Sequence, residues 1–492
     1  MKIAILVLTC NKPKYSENRR VQWEECLKHA NVPVFYVFGN SENPSIPLGK
    51  EVYRIMTNVS DSYESIPQKL FYAYNMLRVF FDAIIKIDDN IHITDIGSTI
   101  ESVTSELKYC PYLQLIGSNN LPSSCLTNSH YGRSDTLDSM MAIIPKCNYA
   151  GGSSYALRFD ALNMLEYRDL STTIFEDINV GYKLNKLGVY PHTSMTVGKF
   201  IDSDPPTVQS TYCFFPEGEK MLEDRYNSHS DKLCAVLVRG GLGNQLFMIC
   251  TALSYCIRTN CRLQLVWEKS EWRPHYFDTL LRRFTPYLVE NMPSENTITY
   301  LEYQDKKFGF VRLPYTEQGV NINLIGYFQS SKYFPELRDI LHLLPDFPES
   351  REVDDIISGC GSKIPVILHV RRTDYVPKSN YHYVQPLDYY ERAIAIIREN
   401  VSNPHFLLIS DDVPFLSNIP IKQDESQIVD LDDIQTMKLM SKCRHFIIAN
   451  STFSWWGSVF GRSKLVVAPK IWFGPDGPQD WQDIYEDGWI IV

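Results

Sequence analysis

The chain lacks the cysteine spacing that marks a structural zinc site or a disulfide framework. Its 12 cysteines include no Cys-x-x-Cys pair, and scattered cysteines of this kind predict a reducing compartment. No run approaches the roughly 18 apolar residues needed to cross a bilayer, so we expect no membrane insertion. The apolar start, Met1–Cys10, is not followed by a small-residue cleavage site and is typical of a buried first strand. These absences together predict a cytoplasmic protein.

The chain also lacks an excess of positive charge. Its formal net charge is −10 and 22% of its residues are charged, which argues against a nucleic-acid partner. Any anionic ligand must therefore be bound by a local group of cations rather than by the field of the whole protein.

The length predicts at least two domains, because one hydrophobic core is implausible for 492 residues. Strand-like and helix-like stretches alternate throughout, which indicates α/β domains with mostly parallel sheets. Prolines, a glycine and a polar run accumulate at 202–232, a composition typical of a linker. We predict one domain at 1–222, a linker at 223–232 and a second domain at 233–492.

One stretch, Ile364–Val376, organises the C-terminal domain. Val366–Val370 is apolar and β-branched at both ends, which is typical of a buried central strand. Open α/β sheets bind ligands at the carboxyl ends of such strands. Four polar residues stand at this end: His369, Arg371, Arg372 and Asp374. Two adjacent guanidiniums suit a diphosphate, because each can form paired charge-assisted hydrogen bonds. The alternative is a solvated charge cluster after a strand.

Glycines and polar side chains follow three other predicted strands of this domain. The strands are Cys234–Val238, Phe406–Ile409 and Phe446–Ala449. The residues that follow them, taken as donor-site candidates, are Gly241, Gly243, Asn244, Gln245, Asp411, Asn450, Ser451, Thr452 and Ser454. A glycine-rich turn lets a ligand approach backbone amides at a helix start, and hydroxyls there either cap the helix or bind phosphate. Asn244 and Gln245 could likewise cap a helix or reach a ligand. Trp455 and Trp456 are expected in the core rather than stacked on a sugar.

These motifs resemble the α1,2-fucosyltransferase family over residues 234–492. The matching segments are 240–247, 369–375, 410–412, 439–441 and 450–456. The resemblance implies a GT-B-like domain of two Rossmann-like halves, GDP-β-L-fucose as donor, inversion to an α1,2 linkage and no metal cofactor. It also implies that Arg371 and Arg372 bind the diphosphate and that His369 shapes the donor site. Asp374 is a candidate general base by position only, and its alternative role is to orient Arg372 through a salt bridge.

The N-terminal domain has acidic residues at the end of a predicted strand, Ala83–Ile87. Asp88, Asp89 and Asn90 follow it, and such oxygens can hold a divalent ion together with a nucleotide diphosphate. An exposed strand-end turn is the alternative, and it would produce the same residues.

A second acidic pair, Glu176 and Asp177, precedes a predicted helix, Gly181–Leu187. The pair either takes part in chemistry or compensates the helix dipole. Between the two acidic groups, a turn containing Gly151 and Gly152 permits close approach of the backbone to a ligand.

The order of these pieces resembles the metal-dependent β1,3-galactosyltransferase and β1,3-N-acetylglucosaminyltransferase family, which has the GT-A fold. The matching pieces are Arg19-Arg20 with Trp23, Phe35 with Gly39, 61–63 with Lys69, 86–90, 149–152 and 176–181. The resemblance implies a UDP-sugar donor bound by Lys69, Asp88, Gly151 and Gly152. It also implies Mn²⁺ at Asp88, Asp89 and Asn90, and Asp177 as general base. One position departs from the family, since Asn90 stands where an Asp is usual, and the lost negative charge should lower metal affinity.

Taken together, the sequence predicts a bifunctional glycosyltransferase. The N-terminal domain would add galactose or N-acetylglucosamine in β1,3 linkage, and the C-terminal domain would add fucose in α1,2 linkage, to a glycan or glycoprotein acceptor. In the alternative, only the fucosyltransferase works, and the N-terminal domain is a non-catalytic module that binds a glycan or the acceptor. A third hypothesis keeps the same GT-B-like scaffold and gives it a different GDP-sugar.

Overall fold

A computed structural model divides the chain into two compact units, Met1–Ser230 (the first unit) and Asp231–Val492 (the second unit). The residues that it describes are 1–40, 44–61, 65–116, 118–121, 125–127, 142–144, 147–150, 152–162, 176–203, 212–214, 232–259, 261–269, 274–301, 308–314 and 320–492. Of the predicted linker, 223–232, only the last residue belongs to these ranges.

The first unit is an α/β unit built on a seven-stranded sheet. Its strands are β1 (Ile3–Leu8), β2 (Val34–Phe38), β3 (Val52–Met56), β4 (Ala83–Asp88), β5 (Ile91–Ile93), β6 (Tyr112–Gln114), β7 (Ser118–Leu121), β8 (Cys125–Thr127), β9 (Ala142–Ile144), β10 (Cys147–Ala150), β11 (Ser154–Arg158), β12 (His192–Thr193), β13 (Phe200–Asp202) and β14 (Tyr212–Phe214). Its helices are α1 (Pro13–Glu25), α2 (Ile66–Leu77), α3 (Ile96–Glu106), α4 (Phe159–Leu162) and α5 (Glu176–Lys186). The large sheet has the order β12-β6-β11-β4-β1-β2-β3.

Strand β1 lies in the middle of this sheet because all six of its residues are apolar and buried. It pairs in parallel with β2 on one side and with β4 on the other, while β11 is antiparallel to both β4 and β6. The chain passes from β1 to β2 and β3 and then returns across β1 to form β4. The carboxyl ends of β1 and β4 therefore flank the point where the strand order reverses, which is the usual ligand crevice of an open α/β sheet.

The starts of two helices of the first unit follow from their first residues. Helix α1 starts at Pro13, because proline suits the first turn, where its missing N–H would have no helical partner. Helix α5 starts at Glu176 rather than at Gly181. Glu176 and Asp177 thus belong to the first helical turn, where negative charge is favourable.

The second unit contains two parallel sheets. Its strands are β15 (Leu233–Val238), β16 (Arg262–Trp267), β17 (Leu288–Val289), β18 (Thr297–Leu301), β19 (Asn321–Ile325), β20 (Ile364–Val370), β21 (Pro404–Ser410), β22 (Ser426–Ile428), β23 (His445–Ile447), β24 (Leu465–Ala468) and β25 (Ile490–Ile491). Its α-helices are α6 (Leu242–Thr259), α7 (Arg351–Gly359), α8 (Leu387–Asn400), α9 (Asp433–Ser441) and α10 (Thr452–Phe460). The sheet orders are β17-β16-β15-β19-β18 and β22-β21-β20-β23-β24-β25.

Every strand pair in these two sheets is parallel. Strand β20 lies between β21 and β23, and its last five residues, Val366–Val370, are buried. The prediction of a buried central strand is therefore confirmed. Each sheet opens with a strand followed by a helix, which is the α/β arrangement expected of two Rossmann-like halves.

Helix α6 of the first half packs against α10 of the second half. The Phe247 ring centroid lies 4.5 Å from that of Trp455 and 5.2 Å from that of Trp456, and both tryptophans are fully buried. The prediction that these tryptophans belong to the core is confirmed. Their packing fixes the starts of α6 and α10 relative to each other, and these starts carry several of the predicted site residues.

Over the parts of the chain with described structure, no helix combines the length and the apolar character that crossing a membrane requires.

Candidate functional site

Arg371 follows strand β20 directly and is bound by two carboxylates. Its Nη2 lies 2.8 Å from Asp374 Oδ1 and its Nε lies 3.3 Å from Asp411 Oδ2. Burial alone lowers the pKa of Arg371, but the nearby charges of Asp411 and Asp374 outweigh it, so the net shift is upward. The guanidinium is thereby kept charged and held in one orientation, as an anion-binding arginine requires.

Arg372 is held separately. Its Nε donates to Asp412 Oδ2 at 3.1 Å, and its guanidinium carbon lies 3.8 Å from the centre of the Phe415 ring. The sequence left two roles open for Asp374, a general base or a residue that orients Arg372. In the structure Asp374 pairs with Arg371, and Asp412 takes that role for Arg372.

Asp411, at the end of β21, organises the turn that presents both arginines. Its carboxylate accepts hydrogen bonds from the backbone N–H of Arg372 at 2.9 Å and of Thr373 at 3.1 Å, and also from the Thr373 hydroxyl. Because β20 and β21 are neighbouring parallel strands, their carboxyl ends meet at one edge of the sheet. The arginine pair is thus a built arrangement rather than a loose charge cluster.

His369, the last-but-one residue of β20, lies behind the arginines. Only 4% of its surface is exposed, and its ring centroid is 6.0 Å from that of Phe453. Burial, together with the positive charge of Arg371, lowers its pKa to about 4. The imidazole is therefore neutral near pH 7, and its place in the structure is that of a packing residue beneath the site.

The polar residues at the start of α10 differ in what their side chains do. Two are buried and bond to backbone carbonyls, and one makes no capping hydrogen bond. Asn450 is buried and donates to the carbonyl oxygens of Tyr383 at 2.8 Å and Trp472 at 2.7 Å. Ser454 is fully buried and donates to backbone carbonyls of the same segment. Ser451 stands at the N-cap position, but its side chain makes no capping hydrogen bond. Asn450 and Ser454 thus shape the segment from within.

The glycine-rich turn after β15 meets the start of α10. Asn244 Oδ1 accepts hydrogen bonds from Thr452 Oγ1 at 3.0 Å and from Gln329 Nε2 at 2.9 Å. A Cβ on Gly243 would lie 2.5 Å from the Thr452 carbonyl carbon, so only glycine allows this approach. A Cβ on Gly241 would meet open space.

Gln245 does not extend from this turn. Its side chain is buried and donates to the carbonyl oxygens of Gly240 at 2.8 Å and Pro274 at 3.0 Å. The two alternatives for Asn244 and Gln245 were capping or a ligand contact. The structure gives Gln245 a role in closing the turn, and gives Asn244 a role in joining the two halves of the unit.

Tyr375 and His382 complete this region. Tyr375 ends the matched segment 369–375, whereas His382 lies outside the matching segments. The Tyr375 hydroxyl donates to the Asn450 carbonyl oxygen at 3.0 Å. The Tyr375 and His382 rings are stacked, with centroids 4.4 Å apart and planes at 13°. The signal for His382 in the sequence was the aromatic stretch Tyr381-His382-Tyr383, which begins nine residues after Arg372.

In the first unit, polar side chains gather at the carboxyl ends of β1 and β2. Lys69 is buried and contacts Asp61 Oδ1 at 2.6 Å and the Thr9 carbonyl oxygen at 3.1 Å. Asp61 also accepts from the Gly39 N–H at 2.9 Å. Lys69, predicted to bind the donor, therefore serves here to tie strand ends together.

The three residues predicted to hold Mn²⁺ each engage a different protein partner. Asp88 Oδ1 is 2.8 Å from Lys86 Nζ, and the same ammonium donates to the Gly152 carbonyl oxygen. The Asn90 side chain donates to Asp202 Oδ1 at 2.6 Å.

Asp89 is almost completely buried and accepts from the Thr9 hydroxyl and from Asn18 Nδ2. Burial raises its pKa, although Thr9, Asn18 and Arg19 act in the opposite sense. Within the described ranges, no group of three or more His, Cys, Asp and Glu residues is arranged to hold a metal. As placed, the three side chains do not fit one shared cation.

The second acidic pair is described only in part. Asp177 lies near the buried Tyr112, and its charge is among the causes that raise the pKa of that phenol, after burial. Tyr112 in turn accepts a hydrogen bond from the Ala150 N–H at 2.9 Å. Gly151 and the side chain of Glu176 lie outside the described residues.

Comparison with known proteins bears on the second unit. Residues 285–492 match the family described as Glycosyl transferase family 11. The chain is 32% identical over 184 residues to the O-antigen biosynthesis glycosyltransferase WbnK of Escherichia coli, and 30% identical over 167 residues to an alpha-1,2-colitosyltransferase of Escherichia coli. These alignments cover 34% and 31% of the chain and span 59% and 57% of the two relatives.

Two solved structures are also similar at low identity. One is NodZ alpha-1,6-fucosyltransferase co-crystallised with GDP, at 14% identity and a TM-score of 0.32, covering 46% of this chain and 92% of that one. The other is fucosyltransferase NodZ from Bradyrhizobium, at 13% identity and a TM-score of 0.31, covering 46% and 93%. TM-scores this low do not establish a shared fold.

The family match and the two sequence relatives agree with the fucosyltransferase resemblance of the C-terminal motifs. They lend no support to a β1,3-glycosyltransferase, to a UDP-sugar or to manganese in the first unit. Residues 285–492, within the second unit, are therefore similar to glycosyltransferase family 11.

Proposed function

We propose that the second unit transfers L-fucose from GDP-fucose to a glycan acceptor, with inversion to an α1,2 linkage. The observation that carries the proposal is the arginine pair at the end of β20. Arg371 and Arg372 are each fixed by a carboxylate from the end of β21, beside the start of α10. This geometry suits a diphosphate, and the similarity of residues 285–492 to glycosyltransferase family 11 supports a nucleotide-sugar donor.

In the proposed reaction, the acceptor oxygen attacks the anomeric carbon of fucose as the bond from that carbon to the diphosphate breaks. The electron pair goes to GDP, whose negative charge rises in the transition state. Arg371 and Arg372 stabilise that charge. Because they are already oriented before the reaction, they lower the energy of the transition state more than freely moving side chains would. No metal is required in this unit, since the two guanidiniums supply the positive charge.

The proposal is tested with the full chain, GDP-fucose and a panel of β-galactosides. We expect fucosylated product in an amount equal to the GDP released, with an α1,2 linkage by NMR. Arg371→Ala should abolish transfer, whereas Arg444→Ala, at the amino end of the same sheet, should not. GDP release without product, or no reaction with any β-galactoside, would overturn the proposal. A colitose donor is tested beside GDP-fucose against the same acceptors, because one relative is named as an alpha-1,2-colitosyltransferase.

For the first unit, we propose a module that binds a glycan or the acceptor without transferring a sugar. The proposal is supported by the partners of the predicted metal residues. Lys86 neutralises Asp88, and Asn90 is committed to Asp202. Such a module would hold the acceptor near the second unit and raise its local concentration there. The test is glycan binding by an Arg371→Ala full chain, which keeps the first unit intact.

The second candidate for the first unit is β1,3 transfer from a UDP-sugar with Asp177 as general base. The observation in its favour is the acidic pair Asp88-Asp89 beside the point where the strand order reverses. UDP release by the full chain, measured with and without Mn²⁺ for UDP-galactose and UDP-N-acetylglucosamine, separates the candidates. A β1,3-linked product by NMR, formed with UDP release that needs Mn²⁺ and is lost in Asp177→Asn while fucosyl transfer is unchanged, would establish β1,3 transfer and exclude the non-catalytic module.

A further inference from the structure

The carboxylates of the arginine site are all engaged in holding donors. Asp374 pairs with Arg371, Asp412 pairs with Arg372, and Asp411 accepts from backbone and side-chain donors. A carboxylate that holds an arginine is a poor acceptor for a further proton, because protonation would break the ion pair. The base that an inverting transfer needs must therefore come from another side chain near the arginines.

The imidazole of His382 is placed for that role. It stacks on Tyr375 with ring centroids 4.4 Å apart, and the guanidinium carbon of Arg371 lies 5.6 Å from the centre of the same Tyr375 ring. The Tyr375 ring thus contacts both His382 and Arg371, the arginine predicted to hold the leaving diphosphate. The Tyr375 hydroxyl is tied to the Asn450 carbonyl oxygen, so the ring that supports His382 is fixed to the segment before α10.

The backbone around His382 is fixed as well. Its N–H donates to the Lys378 carbonyl oxygen at 2.8 Å, and His382 forms an isolated antiparallel bridge with Phe473. Yet the side chain is only partly buried, so an acceptor can reach it. A fixed, partly exposed base beside a diphosphate site is the arrangement that general base catalysis requires.

We propose that His382 accepts the proton of the acceptor hydroxyl in the fucosyl transfer. The inference rests on the proposed function of the second unit. As the acceptor oxygen bonds to the anomeric carbon, its proton moves to an imidazole nitrogen of His382, and the bond from that carbon to the diphosphate breaks. The imidazolium then loses the proton to water and is restored.

The charges that face His382 fit a base that is neutral at pH 7. Burial lowers the pKa of His382 below its usual value, and the positive charges of Lys378 and Arg371 act in the same sense, while Asp374 raises it. The rings of Tyr375 and Tyr381 contact the imidazole. The rate should therefore fall at acidic pH, below the usual histidine pKa, as the imidazole takes up a proton.

The competing role is purely structural, in which His382 only supports Tyr375. His382→Phe separates the two roles, because it keeps a ring for the stack and removes the nitrogens. For a catalytic base, kcat should fall by about 10²- to 10⁴-fold, with the KM for GDP-fucose and the thermal unfolding temperature close to wild type. The acidic limb of the kcat profile should disappear. His382→Gln, which restores polarity without a base, should be equally slow.

Several results would overturn the inference. One is a kcat within about threefold of wild type in either variant, with the acidic limb unmoved. Another is a loss explained by weaker GDP binding or by unfolding in both variants, since that shows a structural role. His445→Gln, at the amino end of β23, is the matched control and should keep wild-type kinetics. If the wild-type chain forms no fucosylated product, it is the proposed function that fails, so the two failures are distinguishable.

Discussion

Asn244 and Thr452 are joined by a hydrogen bond of 3.0 Å that links the two halves of the second unit. Asn244 lies in α6, after the first strand of one sheet, and Thr452 begins α10, after β23 of the other sheet. Gly243 makes the contact possible, because any larger residue would collide with the Thr452 backbone. The glycine-rich motif thus serves in the assembly of the site, whatever it contributes to a ligand.

We predict that Gly243→Ala separates the starts of α6 and α10. The added Cβ would lie 2.5 Å from the Thr452 carbonyl carbon, and relieving such overpacking typically costs about 1–3 kcal/mol. Differential scanning calorimetry should show a lower unfolding temperature for the second unit, and fucosyl transfer should fall. Gly241→Ala, where the Cβ meets open space, is the stability control and should unfold at nearly the wild-type temperature. Equal unfolding temperatures for the two variants would contradict the prediction.

We predict that Asp411→Asn weakens GDP binding more than Asp412→Asn. Asp411 holds the Arg371 side chain and the backbone N–H groups of Arg372 and Thr373, whereas Asp412 pairs with Arg372 through one contact. Hydrogen bonds to charged groups contribute about 1.5–3 kcal/mol, so the Asp411 change should raise the Kd for GDP roughly ten- to a hundredfold. Isothermal titration calorimetry measures it. A larger effect from Asp412→Asn would show that the turn is held in another way.

We predict that His369 makes the second unit less stable as the pH falls. Its pKa is about 4 in the folded chain, against a usual value of 6.5. The folded state therefore takes up this proton at a lower pH than the unfolded state does. Above pH 6.5 the group has no effect, and between pH 6.5 and 4 the unfolded state is increasingly favoured, by about 3 kcal/mol at the lower end.

His369→Gln tests this pH dependence, because it keeps a polar side chain and removes the titration. The fall in unfolding temperature between pH 7.5 and pH 5 should be smaller in the variant than in the wild type. His405→Gln is the matched control, because His405 is a histidine of β21 that is only partly buried. An unchanged pH dependence in His369→Gln would show that another group is responsible.

The sequence predicted the second unit well where the signal is local. The apolar run 366–370 predicted β20, and the two arginines that follow a strand must lie at its carboxyl end. The partners of those arginines were harder to predict, because Asp411 and Asp412 follow a different strand, about 40 residues later, and meet them only through the register of β20 with β21. Of the two roles left open for Asp374, general base or partner of Arg372, the second named the wrong arginine, because the conformation of the turn brings Asp374 to Arg371.

In the first unit, the predicted metal site also depends on partners that are distant in the sequence. Asp88, Asp89 and Asn90 are adjacent in sequence, which suggested a common ligand. Their partners come from β4 itself, from the β1 end and helix α1, and from β13, at sequence separations of up to 112 residues. Which way each of three adjacent side chains turns depends on this tertiary packing, and composition and spacing do not contain it.

We predict that Asn90→Asp destabilises the first unit and that Mn²⁺ reverses the effect. The substitution would place a second carboxylate next to Asp202, at a contact now 2.6 Å long, and it removes the donor of that hydrogen bond. The combined loss should be roughly 1–2 kcal/mol. Two carboxylates at this distance favour a divalent cation between them, so Mn²⁺ should raise the unfolding temperature of the variant and leave the wild type almost unchanged.

Asn31→Asp, at an exposed position, is the matched control. It should neither lower the unfolding temperature nor respond to Mn²⁺. If Mn²⁺ stabilises the wild-type first unit as strongly as the variant, then Asp88, Asp89 and Asn90 rearrange to hold the ion, and the β1,3-transferase candidate regains its metal site.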